Sequence, residues 1–167
     1  KQKIDDSYKP ILRGKDISPF NYSFSENYVL FDKSLLWSNT NEELFLANEK
    51  LINRQTGDKL VAAYDNRQYF TLDSTHVQVL INRNYSLKYL LPIFNSTILN
   101  YYYSLLVNES GRTFAQVKTV NLKPLPIPLS EKKEVIEFIV DIILFEKEKT
   151  VTQKFFTTFI DNIIYEL

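Results

Sequence analysis

The stretch from Gly111 to Pro128 constrains the fold of this chain more than any other part of the sequence. It begins with a glycine and a row of polar side chains that ends at Lys118, and it closes with Leu-Pro-Ile-Pro over residues 125–128. Proline fixes φ and lacks a backbone N–H, so the closing part cannot lie inside a helix or a central strand. The stretch therefore predicts a polar, flexible segment between rigid elements, which is typical of a recognition module and not of a catalytic centre.

Short patterns rich in β-forming residues occupy the chain before this stretch. They are found at Tyr28–Leu36, Leu51–Arg54, Leu60–Tyr64, Tyr69–Leu72 and Val77–Ile81. Asp-Asn and Asp-Ser turn signals separate the later ones, and short strands at such close spacing are typical of antiparallel sheets. We therefore expect a twisted antiparallel meander or a small open barrel.

Apolar residues recur at helical spacing from residue 87 onward. Because Pro92 and the adjacent Asn95-Ser96 pair interrupt the pattern, we expect two helical pieces, over residues 87–94 and 96–107, with a kink or tight break between them. The three consecutive tyrosines at 101–103 cannot all face one way. Packing in the core and at its rim explains them better than a ligand cage.

Two amphipathic segments close the chain. Ser130 is predicted to cap a long helix, and a second helix is predicted from Val151 to Leu167. These helices can pair as a hairpin or pack on another part of a longer protein. We expect one domain over residues 1–129 and a helical hairpin or docking appendage over residues 130–167.

Composition excludes several function classes. The 167 residues include no cysteine, one histidine and three well-separated glycines. Zinc sites need Cys or His ligands, and phosphate-cradling loops need closely spaced glycines. We therefore expect no catalytic, metal-binding or cofactor-binding residues in this chain. The lone His76 is interpreted as a structural or edge residue of a strand.

Several features bear on where the protein works. No apolar run approaches the roughly 20 residues of a membrane span, and the sequence does not open with a signal-peptide pattern. The absence of cysteine fits a reducing, cytoplasmic setting. The first residue is Lys1 and not methionine, so we expect the chain to be a piece of a longer protein.

The net charge is zero, but it is unevenly distributed. Residues 1–49 carry six basic and eight acidic side chains, and residues 124–167 carry five and eight. Residues 50–123 carry nine basic and four acidic side chains, a net charge of +5. The middle of the chain is therefore where an anionic partner is expected, although a charge of this size is also compatible with ordinary surface variation.

Basic and amide side chains of the middle region fall on predicted turns and strand ends. Arg and Lys neutralise phosphates, and Arg, Gln and Asn pair with base edges in the major groove. Each residue alone is better explained as an ordinary solvated surface position; their grouping on loops of one β-rich region favours DNA. The predicted DNA contacts are Arg54, Gln55, Lys59, Arg67, Gln68, Tyr69, Arg112, Thr113, Gln116 and Lys118.

A nuclease is the enzymatic alternative. Metal-dependent phosphodiester cleavage needs clustered carboxylates, usually with a lysine nearby. Asp58-Lys59 and Asp65 have the right composition, and Glu131-Lys132-Lys133 has the spacing. Turn, capping and surface roles explain all of these residues, so the sequence disfavours a nuclease centre.

The order of these features resembles a known family. Ile-Leu-Arg-Gly-Lys-Asp-Ile at 11–17 is followed by Lys50–Arg54, the strands through Leu80, Leu-Leu-Pro-Ile-Phe-Asn-Ser at 90–96, and the stretch from Gly111 to Pro128. The chain is similar to the target-recognition (specificity) domain of restriction–modification enzymes. It looks most like the C-terminal specificity domain of TaqI/Eco57I-like adenine methyltransferases, and it also resembles the recognition domains of type I specificity subunits.

The resemblance implies a fold and a role. The fold is an α/β domain of the α+β type, with a curved, mostly antiparallel sheet and flanking helices. The role is non-catalytic recognition of double-stranded DNA beside a methyltransferase domain of the same parent chain. That partner domain would methylate a flipped adenine with S-adenosylmethionine. We expect S-adenosylmethionine and Mg²⁺ in other domains of the parent, none in this fragment, and an oligomer as a possibility through the C-terminal helices.

Overall fold

The computed structural model describes residues 3–36, 40–107, 115–145 and 151–167. The strands are β1 (Tyr8–Leu12), β2 (Ile17–Ser18), β3 (Asn21–Tyr22), β4 (Tyr28–Leu30), β5 (Lys50–Arg54), β6 (Ala62–Asp65), β7 (Phe70–Thr71) and β8 (Thr75–Gln78). The helices are α1 (Glu42–Phe45), α2 (Leu87–Asn95), α3 (Thr97–Leu106), α4 (Thr119–Leu122), α5 (Lys133–Phe145) and α6 (Val151–Tyr165). A 3₁₀ turn spans Gly14–Asp16. Within these residues no helix is long and apolar enough to cross a bilayer.

The sheets are mostly antiparallel, which confirms the α+β class. Strand β5 is central, with β6 on one side and β8 on the other. The predicted meander was wrong, because β8 pairs with β5, and β7 leaves this sheet and pairs in parallel with β1. Its Phe70 is buried with Ile11 and Phe45 in a separate small cluster. Burial of these side chains therefore takes precedence over pairing between strands that are neighbours in sequence.

The main core lies between the β5–β6 sheet and the helices. Leu51 and Ala62 on the sheet pack with α2, and the fully buried Ile136 and Val140 of α5 belong to the same cluster. Ile160 of α6 is 1 % exposed there as well. The hydrophobic core therefore crosses the boundary expected at residue 130.

The predicted break between the two middle helices falls at Ser96. Its hydroxyl accepts a hydrogen bond from Leu99 N–H at 3.2 Å and so caps α3. Pro92 lies inside α2 and is buried, so the break is made by the cap and not by the proline. Helix α5 begins at Lys133 after a turn, in which the Ser130 hydroxyl accepts from Lys132 N–H at 3.0 Å.

Two asparagines, together with Phe20, cover the outer edge of β6 and of the residues just before it; Phe20 N–H donates to Ala62 O at 2.9 Å. Asn95 accepts from Ala62 N–H and donates to Ala62 O, both at 2.9 Å. Asn100 accepts from Leu60 N–H at 2.8 Å and donates to Leu60 O at 3.3 Å. Each side-chain amide thus takes the place that a residue of a further strand would occupy, and an edge that is covered in this way cannot pair with another chain.

Candidate nucleic-acid interface

One end of the central sheet collects polar residues that are far apart in sequence. The chain turns after β5, and Gly57 N–H donates to Ala115 O at 2.9 Å. Val117 N–H donates to Gln55 O at 2.7 Å, and Thr56 forms a bridge with Gln116. These bonds hold residues 115–118 against the turn, so Gln116 and Lys118 lie beside residues 54–57.

His76 fastens the same segment from β8. Its Nε2 lies 2.7 Å from Val117 O. Val117 is fully buried, while Gln116 and Lys118 on either side of it are exposed. The structural role that was predicted for His76 is therefore confirmed. A buried residue between two exposed ones fixes the direction in which the exposed residues leave the surface.

Arg54 is held against the glycine turn. Gly57 has φ of 125°, a conformation that side chains rarely adopt, and a Cβ placed there would lie 3.3 Å from an Arg54 guanidinium nitrogen. The glycine therefore leaves room for the arginine. Arg54 Nε is buried and has no hydrogen-bond partner in the described part of the chain, and among the ion pairs of the described residues none involves Arg54 or Lys59.

We name this surface the Arg54 end. Its members are the predicted contacts that the structure brings together at the last residue of β5 and on the segments bonded to it. Lys59 is exposed and Gln55 is half-buried. The Arg54 end consists of Arg54, Gln55, Lys59, Gln116 and Lys118.

Two other predicted contacts lie at the opposite end of the same strands. Arg67 and Gln68 follow β6 in a tight turn where Gln68 has φ of 58°. The register pairs Lys50 with Asp65 at this end, roughly 13 Å from Arg54 at about 3.3 Å per strand residue. Gln68 Nε2 already donates to Leu46 O at 2.8 Å. The sequence therefore grouped residues that the fold separates.

A buried ion pair closes this second end. Lys50 Nζ lies 2.6 Å from Asp65 Oδ2, and both side chains are fully buried. Lys50 also donates to Phe45 O at 2.7 Å, and Asp65 accepts from the backbone N–H groups of Arg67 and Tyr69 at 2.8 and 3.0 Å. Burial, together with the Asp65 charge, raises the pKa of the nearby Tyr22 hydroxyl. Lys50 and Asp65 are thus neutralised inside the protein, whereas Arg67 at the same end is exposed and forms no ion pair with a described residue.

Three of the predicted DNA contacts are not placed on this surface by the structure. Tyr69 is only 9 % exposed and packs edge-on against Tyr22, 5.2 Å between ring centroids. Tyr69 therefore belongs to the core and exposes little surface that a DNA duplex could contact. Arg112 and Thr113 lie outside the described residues.

The Arg54 end has the chemistry of polyanion binding. It offers cationic and amide donors on a sheet end, and within the described ranges no group of three or more His, Cys, Asp or Glu side chains is placed to hold a metal ion. The sequence pointed to most of these residues through their charge. It did not reveal Thr56, whose bridge to Gln116 depends on a contact 60 residues along the chain.

Comparison with known proteins places the chain in a family. A search of curated proteins gave no match. The family described as the TaqI-like C-terminal specificity domain matches residues 9–127, which include the sheet, α2, α3 and the whole Arg54 end. The match stops just before α5. Because it covers well over half of the sequence, the chain belongs to the TaqI-like C-terminal specificity domain family, the DNA-recognition modules of restriction–modification systems.

Proposed function

We propose that this domain binds double-stranded DNA through the Arg54 end and reads its sequence there. The observation that carries the proposal is the grouping of three cationic and two amide side chains at the Arg54 end, where two distant segments of the chain meet. Lys50 is neutralised by a carboxylate at 2.6 Å, whereas Arg54 and Lys59 form no ion pair with any described residue. Cations without a carboxylate partner are available to phosphates.

The residues divide by chemistry into two kinds of contact. Lys59 and Lys118 are exposed, and lysine acts as a mobile point charge that suits phosphates. Arg54 is held by the Gly57 turn, and Gln116 by the backbone bonds of its neighbours. Because Arg and Gln side chains can pair bidentately with guanine and adenine, we assign base reading to Arg54 and Gln116.

The parent protein is proposed to be an N6-adenine DNA methyltransferase, with or without endonuclease activity, as in type IIG enzymes. Its methyltransferase domain would bind S-adenosylmethionine, Mg²⁺ would serve a nuclease domain, and the protein would work in the cytoplasm. This chain contributes recognition and no catalytic group. The family match supports this proposal because specificity domains accompany methyltransferases.

Selection from randomised duplexes tests the proposal. The domain is incubated with a pool of duplexes that carry a random central segment, and bound DNA is amplified and sequenced over several rounds. We expect a short motif to be enriched, and affinity for that motif to fall as salt rises from about 50 to 200 mM. Absence of binding at the lowest salt, or binding without any enriched motif, would refute sequence-specific recognition.

A second candidate is protein docking through the C-terminal helices. Its support is the exposure of large apolar side chains on α5 and α6, with Phe138 66 %, Phe145 85 % and Phe155 63 % exposed. Exposed apolar groups of this kind mark association surfaces. Solution mass measured for the wild type and for Phe138→Ser/Phe155→Ser tests it: a wild-type oligomer that the variant dissolves supports docking between copies, and a monomer in both removes that form of the hypothesis.

A further inference from the structure

The turn at Gly14 lies directly on the Arg54 end. Gly14 N–H donates to the Ser74 hydroxyl at 2.9 Å. A Cβ on Gly14 would lie 2.8 Å from Ser74 O and 3.1 Å from the Thr56 hydroxyl. Only glycine permits so close an approach. Ser74 O in turn accepts from Gln55 N–H at 2.9 Å, so the turn is joined to the segment that follows β5.

The residues on both sides of this turn are fixed. Arg13 N–H and Nε donate to Asp16 Oδ2 at 2.8 and 3.1 Å, and the Ser25 hydroxyl donates to Asp16 Oδ1 at 2.8 Å. Asp16 is 6 % exposed. Arg13 is thus neutralised within the fold, and the 3₁₀ turn between Arg13 and Asp16 has a fixed geometry.

Lys15 is the exposed residue of the turn. Its neighbours Gly14 and Asp16 are buried. Among the described residues it has no ion pair or hydrogen-bond partner, unlike Arg13 beside it. Asp73 is exposed next to Ser74, so the surface here is mixed in sign, and Lys15 supplies a positive charge that nothing in the described fold neutralises.

We propose that Lys15 is a phosphate contact of the DNA complex, carried to the Arg54 end by the Gly14 turn. The inference rests on the proposed DNA-binding function and adds a residue from the first strand region to a surface otherwise built from residues 54–59 and 115–118. A point charge on a flexible stem holds the duplex backbone without reading bases. Lys15 therefore contributes to affinity equally on all sequences.

Salt-dependent binding of Lys15→Ala tests this role. Affinity for the selected duplex and for an unrelated duplex is measured across a salt series. One lost phosphate contact is expected to reduce the slope of log K against log salt by about 0.9 and to weaken both duplexes about five- to tenfold near 0.1 M salt. Lys15→Arg, which keeps the charge, is expected to bind like the wild type.

Arg83→Ala is the matched control. It also removes one exposed positive charge, but it lies beyond the far end of β8, in the loop before α2. If the wild type binds DNA and the Lys15→Ala and Arg83→Ala variants have the same affinity and salt dependence, the inference is wrong. The proposed function is not affected by that result. A wild type that binds no DNA would instead refute the proposed function. A Lys15→Ala defect on one duplex only would make Lys15 a base contact and also contradict the inference.

Discussion

The first and last residues of β5, Lys50 and Arg54, differ in how their charges are neutralised. At one end Lys50 and Asp65 are fully buried and bonded to each other and to the backbone. At the other end Arg54 lies over a glycine turn, and no ion pair with a described residue neutralises it. Charges that meet a partner inside the protein stabilise or specify the fold, and charges that do not are left for an external anion.

The largest loss of folding free energy is expected from a substitution that breaks the buried Lys50–Asp65 ion pair. Lys50→Met would leave the Asp65 carboxylate buried without its counter-charge, which typically costs about 3–5 kcal/mol of folding free energy. Arg54→Met at the other end is expected to cost about 1 kcal/mol or less. Denaturant unfolding of both variants measures the difference. Equal losses in the two variants would contradict the contrast between the ends.

The next largest loss of stability is expected when an asparagine on the edge of β6 is replaced. Asn95→Ala removes an amide that bonds both backbone groups of Ala62, and we expect a loss of about 1–3 kcal/mol in unfolding free energy. Asn162→Ala is a suitable control, because Asn162 is exposed on α6. If both variants have the denaturant midpoint of the wild type, the side-chain amide of Asn95 does not stabilise the edge of β6.

Acid should weaken the turn that carries Lys15. Burial raises the pKa of Asp16, but its hydrogen bonds from Arg13 and Ser25 and the Arg13 charge outweigh burial and hold the pKa below its usual value. A lowered folded-state pKa gives stability that is present above the unfolded pKa, about 4, and is lost as pH falls through the folded pKa.

Asp16→Asn isolates this contribution. We expect the variant to be roughly 1–3 kcal/mol less stable than the wild type at pH 7, and the gap to narrow when pH falls below about 4. Unfolding free energies measured at several pH values show this directly. A gap that is constant from pH 7 to pH 3 would mean that ionisation of Asp16 does not stabilise the turn.

The sequence predicts where the main helices begin and end, but it does not predict which distant elements contact each other. Hydrophobic spacing placed α2, α3 and α6 within a few residues, because amphipathic periodicity is local. It missed the parallel pairing of β7 with β1, which depends on the burial of Phe70 against distant residues. Charge identified Arg54, Lys59 and Arg67 alike, yet only the strand register shows that they belong to opposite ends.

The central claim is that DNA binds at the Arg54 end. Its most direct test compares the salt dependence of DNA binding for Lys59→Ala/Lys118→Ala with that for Arg67→Ala/Arg83→Ala, which also removes two positive charges. We predict that the first double variant lowers the slope of log K against log salt by about 1.8, and that the second leaves it close to the wild-type value. A larger loss in the second variant, or an equal loss in both, would contradict the account.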